Sequence, residues 1–96
     1  MKSKTAANAL EKLVKSLARE NPIRIEVVLV SDGKYEIKYF VGEEVKNVEG
    51  RLRGTVLPGP VLTNLSERAK RGYVCNEPVP LKGRVGAYRL EYAKAR

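Results

Sequence analysis

The side chains that most often carry chemistry are scarce in this chain. It has no histidine, its only aspartate is Asp32 and its only cysteine is Cys75. Without an imidazole, no side chain has an ordinary pKa near neutrality with which to act as a general base, activate a thiol or offer a nitrogen to a metal. Asp32 precedes Gly33 and reads as a turn residue. The glutamates are scattered and mostly stand beside Lys or Arg, the pattern of solvated surface charge. Pro58-Gly59-Pro60 has no Lys-Ser or Lys-Thr after it and so is not a phosphate loop. A lone cysteine forms neither an intrachain disulfide nor a cysteine metal cluster, and Cys75 is expected to be an incidental thiol in a reducing compartment. The expectation is a protein that is not an enzyme and needs no cofactor.

What the chain has in quantity is positive charge, with 19 Lys and Arg against 11 Asp and Glu, a net +8. The excess is uneven. Residues 1–21 carry +3, residues 22–50 carry −2 and residues 51–96 carry +7. A division of that kind suggests a face meant for a polyanion, where each neutralised phosphate releases condensed counterions. Arg51 and Arg53 flank Leu52; Arg68, Lys70 and Arg71 close a helical segment; Lys82, Arg84 and Arg89 lead into the last strand. The competing explanation is a solubilising surface, because the high charge and the absence of His, Gln and Trp make the composition thermophile-like.

Aromatic rings extend the polyanion reading, since each base stacked on one contributes about 1–3 kcal/mol. Tyr35 and Tyr39 fall on an apolar row and read as packing residues. Phe40 falls among charges, and Tyr73 lies beside the basic helix end, so these two are the stacking candidates.

The elements that position these residues follow from hydrophobic spacing. Ala6, Leu10, Leu13, Val14 and Leu17 make the stripe of an amphipathic helix over 3–20, stopped by Asn21-Pro22. Strands are predicted at 23–30 and 34–41 around Ser31-Asp32-Gly33. A two-residue Asp-Gly turn would set Val27 against Lys38. A three-residue loop with Gly33 in the left-handed conformation instead sets Leu29 against Tyr35, Val27 against Ile37 and Ile25 against Tyr39, with Glu26 against Lys38. Only the second register gathers the apolar residues on one face. It leaves Phe40 opposite Arg24, with Val28 and Val30 on the same open row, a surface suited to a partner and most simply to a twofold homodimer.

Beyond the Gly42-Glu43-Glu44 turn, Val45 to Leu57 reads as a third strand with Gly50 and Gly54 marking a bulge or a close backbone approach. A second helix is expected from Pro60 to about Arg71, with Asn64 and Glu67 as an alternative capping-box start and Gly72 as its stop. Residues 73–83, with Pro78, Pro80 and Gly83, read as an extended loop, and a final strand from Arg84 carries Tyr88, Leu90 and Tyr92 on one row.

Ninety-six residues with 43% hydrophobic content form a single domain, 1–96, of α+β class. The expected architecture is an antiparallel sheet of three to four strands with two helices, in the order α-β-β-β-α-β. The helix–strand–strand–strand–helix order resembles that of double-stranded RNA-binding domains in topology alone: the second helix has no lysine-rich start and a further strand follows it. No segment approaches the roughly 20 apolar residues of a membrane span, and a cytoplasmic location is the simplest expectation. The functional expectation is sequence-tolerant binding of single-stranded DNA or RNA through Arg51, Arg53, Arg68, Lys70, Arg71, Lys82 and Arg84, aided by Phe40 and Tyr73. The alternative is a small interaction subunit that self-associates, or joins a larger complex, through its open sheet face.

Overall fold

The computed structural model describes residues 2–53, 57–68 and 72–95, with the backbone alone for 2–7 and 68. Helix α1 (Lys2–Ala18) buries Leu10, Val14 and Leu17, three members of the predicted stripe. It closes through tightened bonds, Arg19 N to Ser16 O and Glu20 N to Leu17 O, and Asn21 at φ 58° turns the chain into Pro22. Asparagine is one of the few residues that tolerate this left-handed geometry.

Strands β1 (Arg24–Val30) and β2 (Lys34–Val41) form the hairpin in the bulged register. Leu29 pairs with Tyr35, Val27 with Ile37, Ile25 with Tyr39 and Glu26 with Lys38. Gly33 sits at φ 94° and donates its N–H to Val30 O at 2.9 Å, while Asp32 Oδ1 accepts from Lys34 N. Asp32 is thus a turn residue. Strand β3 (Glu44–Arg51) follows a two-residue turn in which Gly42 has φ 59° and Glu43 keeps a negative φ, the type II′ pattern. Its register runs unbroken from Val41–Glu44 to Lys34–Arg51. At Gly50 the backbone approaches closely, since a Cβ there would lie 2.5 Å from the Tyr35 hydroxyl. Gly54 lies outside the described residues. The strand stops at Arg51, short of the expected Leu57, and Leu52 N donates to Gly33 O at 2.8 Å.

Helix α2 (Pro58–Arg68) begins two residues before the expected start, at Pro58, because neither Pro58 nor Pro60 needs an N–H partner in a first turn. Asn64 therefore sits inside the helix and caps nothing. Whether the helix reaches Arg71 lies outside the described residues.

The sheet departs from the expected three to four strands. Among the described residues it has six, with β4 (Tyr73–Cys75), β5 (Val79–Pro80) and β6 (Ala87–Lys94) following α2, so the element order is α-β-β-β-α-β-β-β. Residues 73–83 contribute two edge pieces to β6 rather than a free loop: Tyr73, Val74 and Cys75 pair with Lys94, Ala93 and Tyr92, and Val79 and Pro80 with Arg89 and Tyr88. Segments this short leave no alternation to read, and proline is tolerated on an edge strand. The spatial order is β3-β2-β1-β6-β4, antiparallel throughout.

One hydrophobic cluster joins α1 and α2 to a single face of this sheet: Leu10, Val14 and Leu17 with Val61, Leu62 and Leu65 against Ile25, Val27, Leu29, Ile37, Tyr39, Leu90 and Tyr92. Among the described residues the other face carries no helix. At the rim, Glu20 accepts from the Tyr39 hydroxyl at 3.0 Å and from Lys46 Nζ at 2.9 Å, tying the end of α1 to β2 and β3. Those two donors hold the Glu20 carboxyl below the usual carboxylate range, Lys46 first. Among the described residues no helix is long and apolar enough to cross a membrane.

Candidate nucleic-acid interface

The register fixes which residues share the open face. Alternation puts Arg24, Glu26, Val28 and Val30 of β1 there, with Lys34, Glu36, Lys38 and Phe40 of β2, Val45, Asn47, Glu49 and Arg51 of β3, and Arg89, Glu91 and Ala93 of β6. The face therefore has a charged middle and an apolar row at one end.

The middle is neutral. Arg24 Nη2 lies 2.6 Å from Glu91 Oε2 and 2.9 Å from Glu26 Oε2, and Arg89 Nη2 lies 3.1 Å from Glu91 Oε2 and 3.3 Å from Glu26 Oε1. These two arginines and two glutamates sit across β1 and β6, the central pair of strands, and their side chains are partly shielded. Beside them a groove of about 500 Å³ is lined by Glu26, Glu36 and Glu49 against Lys38 and Arg84, over Val28. Three carboxylates make its floor a poor seat for phosphate.

The hairpin end carries an excess of cations over carboxylates. Lys34 and Arg51 are register partners. Leu52, bonded to Gly33, sets the exposed Arg53 beside the same turn. The 82–86 loop packs on the turn from the other side: a Cβ on Gly86 would meet Ser31 Oγ at 2.7 Å, and Arg84 Nη2 reaches Glu36 Oε2 at 3.7 Å. Lys34, Arg51, Arg53, Lys82 and Arg84 thus converge from three chain segments around Ser31-Asp32-Gly33, facing Asp32 and Glu36 as counter-charges. The Arg51–Asp32 contact, at 3.5 Å between well exposed side chains, leaves the arginine available.

The remaining candidates lie elsewhere. Arg68 ends α2, and Tyr73, which follows it in the sequence, is paired with Lys94 at the opposite end of β6 from Ala87 and the turn. Lys70 and Arg71 lie outside the described residues, as does the Arg68 side chain. Phe40 is on the open face, with the Arg24 guanidinium 5.8 Å from its ring centre. Tyr73 is on the helix side, packed against the core, and its hydroxyl donates to Pro22 O at 2.9 Å. Burial pushes its phenol pKa up. Lys34 and Lys38 escaped the sequence reading; recognising Gly42-Glu43 as a two-residue turn would have paired Lys34 with Arg51.

Cys75 is half-buried on β4 and lies beside Tyr92, whose phenol pKa is pushed up by burial and then by that thiol. Among the described residues no three His, Cys, Asp or Glu side chains gather as a metal site. No protein-family model matches the chain, and neither a curated protein nor a solved structure matches it.

Proposed function

We propose that the protein binds single-stranded nucleic acid with little sequence preference, its phosphates held at the hairpin end of the open sheet face by Lys34, Arg51, Arg53, Lys82 and Arg84. The observation that carries this reading is the convergence of those five cations from separate segments on one rim, while the arginines at the centre of the sheet are consumed by glutamates. Evenly spread solubilising charge has no reason to sort in that way. From that rim the open face of β2 runs Lys34, Glu36, Lys38 and Phe40, so a strand held at the rim by its phosphates skirts the carboxylate groove and meets a ring at the far end of β2. A flat, open face suits splayed bases better than it suits a duplex groove.

The test is a titration of labelled single-stranded and duplex oligonucleotides across a salt series. With about four to five phosphates neutralised, log affinity against log salt falls with a slope near −3 to −3.5 for single strands, the same for different sequences. Affinity no better than that of an unrelated protein of equal net charge removes the reading.

A second reading, a small interaction subunit, rests on the apolar end row. Val45 and Val74 are 51% and 66% exposed at its two ends, with Phe40, Arg24 and Ala93 between them and the Arg24 guanidinium drawn into the glutamate network. A row of this kind is the ordinary footprint of a protein partner.

A further inference from the structure

The two edges of the sheet are built differently. On the β6 side the edge is broken into pieces of three and two residues, with Pro78 between them and Pro80 in the second. Short strands and proline are the usual means of keeping an edge from pairing. On the other side β3 runs for eight residues without proline, and its register to β2 has no bulge. Its one lysine does not guard the edge, because Lys46 is held by Glu20 on the helix side.

The phase of the hydrogen bonding says which groups are on offer. The two-residue turn and the Leu52 N to Gly33 O bond show that the even-numbered residues of this segment bond to β2. Val45, Asn47, Glu49 and Arg51 therefore direct their N–H and C=O outward.

We infer that β3 pairs antiparallel with β3 of a second copy of this chain, about a twofold axis at Val48, to make one continuous sheet with all helices on the same side. Such an axis, perpendicular to the sheet, pairs only residues of the same face, so few registers exist. An axis at Lys46 sets lysine on lysine, and one at Glu49 sets glutamate on glutamate. An axis at Asn47 lays Lys46 against Val48 and Val45 against Glu49. An axis at Val48 sets Val48 on Val48 beside the core, Val45 against Arg51 and Lys46 against Gly50, which has no side chain. It also sets Asn47 against Glu49. That last pair answers a defect within the chain, for Glu49 stands directly opposite Glu36 and forms no ion pair among the described residues, whereas Glu36 has Arg84. The Asn47 amide of the second copy supplies a donor there. The contact uses the edge and leaves the open face free, so it stands or falls separately from nucleic-acid binding.

The experiment combines sedimentation equilibrium with amide exchange on the unmodified chain. The expected result is a dimer, in which the N–H groups of Val45, Asn47, Glu49 and Arg51 exchange slowly at high concentration and lose that protection on dilution. Asn47→Pro removes one outward donor and no bond to β2, so it is expected to keep the far-UV spectrum and to raise the dimer dissociation constant at least about tenfold. Should that variant fold poorly, Val48→Cys in a Cys75→Ser background gives an independent reading: the two residues at the axis form a non-hydrogen-bonded pair with Cβ atoms about 4.5–5.5 Å apart, and mild oxidation is expected to cross-link them. A chain that stays monomeric at high concentration overturns the inference. So does a dimer whose four outward amides remain unprotected, which would be one formed through the open face.

Discussion

At the scale of single residues, the clearest reading was Gly33. Only the bulged register put Ile25, Val27 and Leu29 in line with Tyr39, Ile37 and Tyr35, and that register requires a left-handed residue, found at φ 94°. Gly33→Ala is accordingly expected to destabilise the fold by about 1 kcal/mol in denaturant unfolding, since a Cβ is disfavoured in that region. Tyr73 was not legible in the same way. Its neighbour Val74 is equally apolar, and a strand of three residues gives alternation no length in which to show which of them faces the helices. Glu20, at the end of α1, has a consequence that depends on pH. Lys46 and then Tyr39 lower its pKa in the folded state, so its contribution to stability is complete above the ordinary carboxylate range and is lost as pH falls through the lowered value. The melting temperature of Glu20→Gln is expected to lie below that of the parent at pH 7, with the gap closing as pH falls through the lowered carboxyl pKa and shrinking in salt because the pair is exposed. A gap that persists at the acid end would mean that packing, not charge, ties α1 to β3.

Among the elements, those with their own period were legible and those that borrow a partner were not. Helix α1 and the β1–β2 hairpin announce themselves by stripes and alternation, whereas β4 and β5 exist because β6 lies beside them. The placement of β6 between β1 and β4 is a tertiary outcome: α2 carries the chain across the helix face from one edge to the other, and the last strand returns inward. That inward return is what draws Arg89 into the Glu26–Glu91 network and withdraws it from the basic surface. Strand β4 is fastened to the start of the hairpin by the Tyr73 hydroxyl on Pro22 O. Tyr73→Phe is therefore expected to cost about 1 kcal/mol in unfolding experiments, the worth of one hydrogen bond, and to leave oligonucleotide affinity unchanged at every salt concentration. Phenylalanine keeps a stacking ring, so the stacking role is read in Tyr73→Leu, where loss of affinity at high salt would return Tyr73 to the role of a stacking platform.

For the whole molecule, net charge was a better guide to the partner than to its seat. The +7 of residues 51–96 is read directly from the sequence, but the fold divides it between two ends of the sheet: Arg51, Arg53, Lys82 and Arg84 gather at the hairpin turn, while α2 ends with Arg68 toward the other. This division separates a built site from a general field. Arg53→Glu and Arg68→Glu change the net charge by the same amount, so a protein that attracts nucleic acid only through its overall charge loses the same affinity in both. If the hairpin end holds the phosphates, Arg53→Glu is expected to weaken single-strand binding for all sequences alike and to flatten the salt slope by about 0.7, the share of one contact, whereas Arg68→Glu leaves the slope unchanged and lowers affinity only slightly at low salt. Phe40→Ala extends the same titration to the far end of β2. Stacking outlasts ionic attraction, so its loss is expected to appear at high salt, reduced in size because the Arg24 guanidinium already covers part of the ring. Equal losses from Arg53→Glu and Arg68→Glu would show that the field acts as a whole and that the hairpin end is no site.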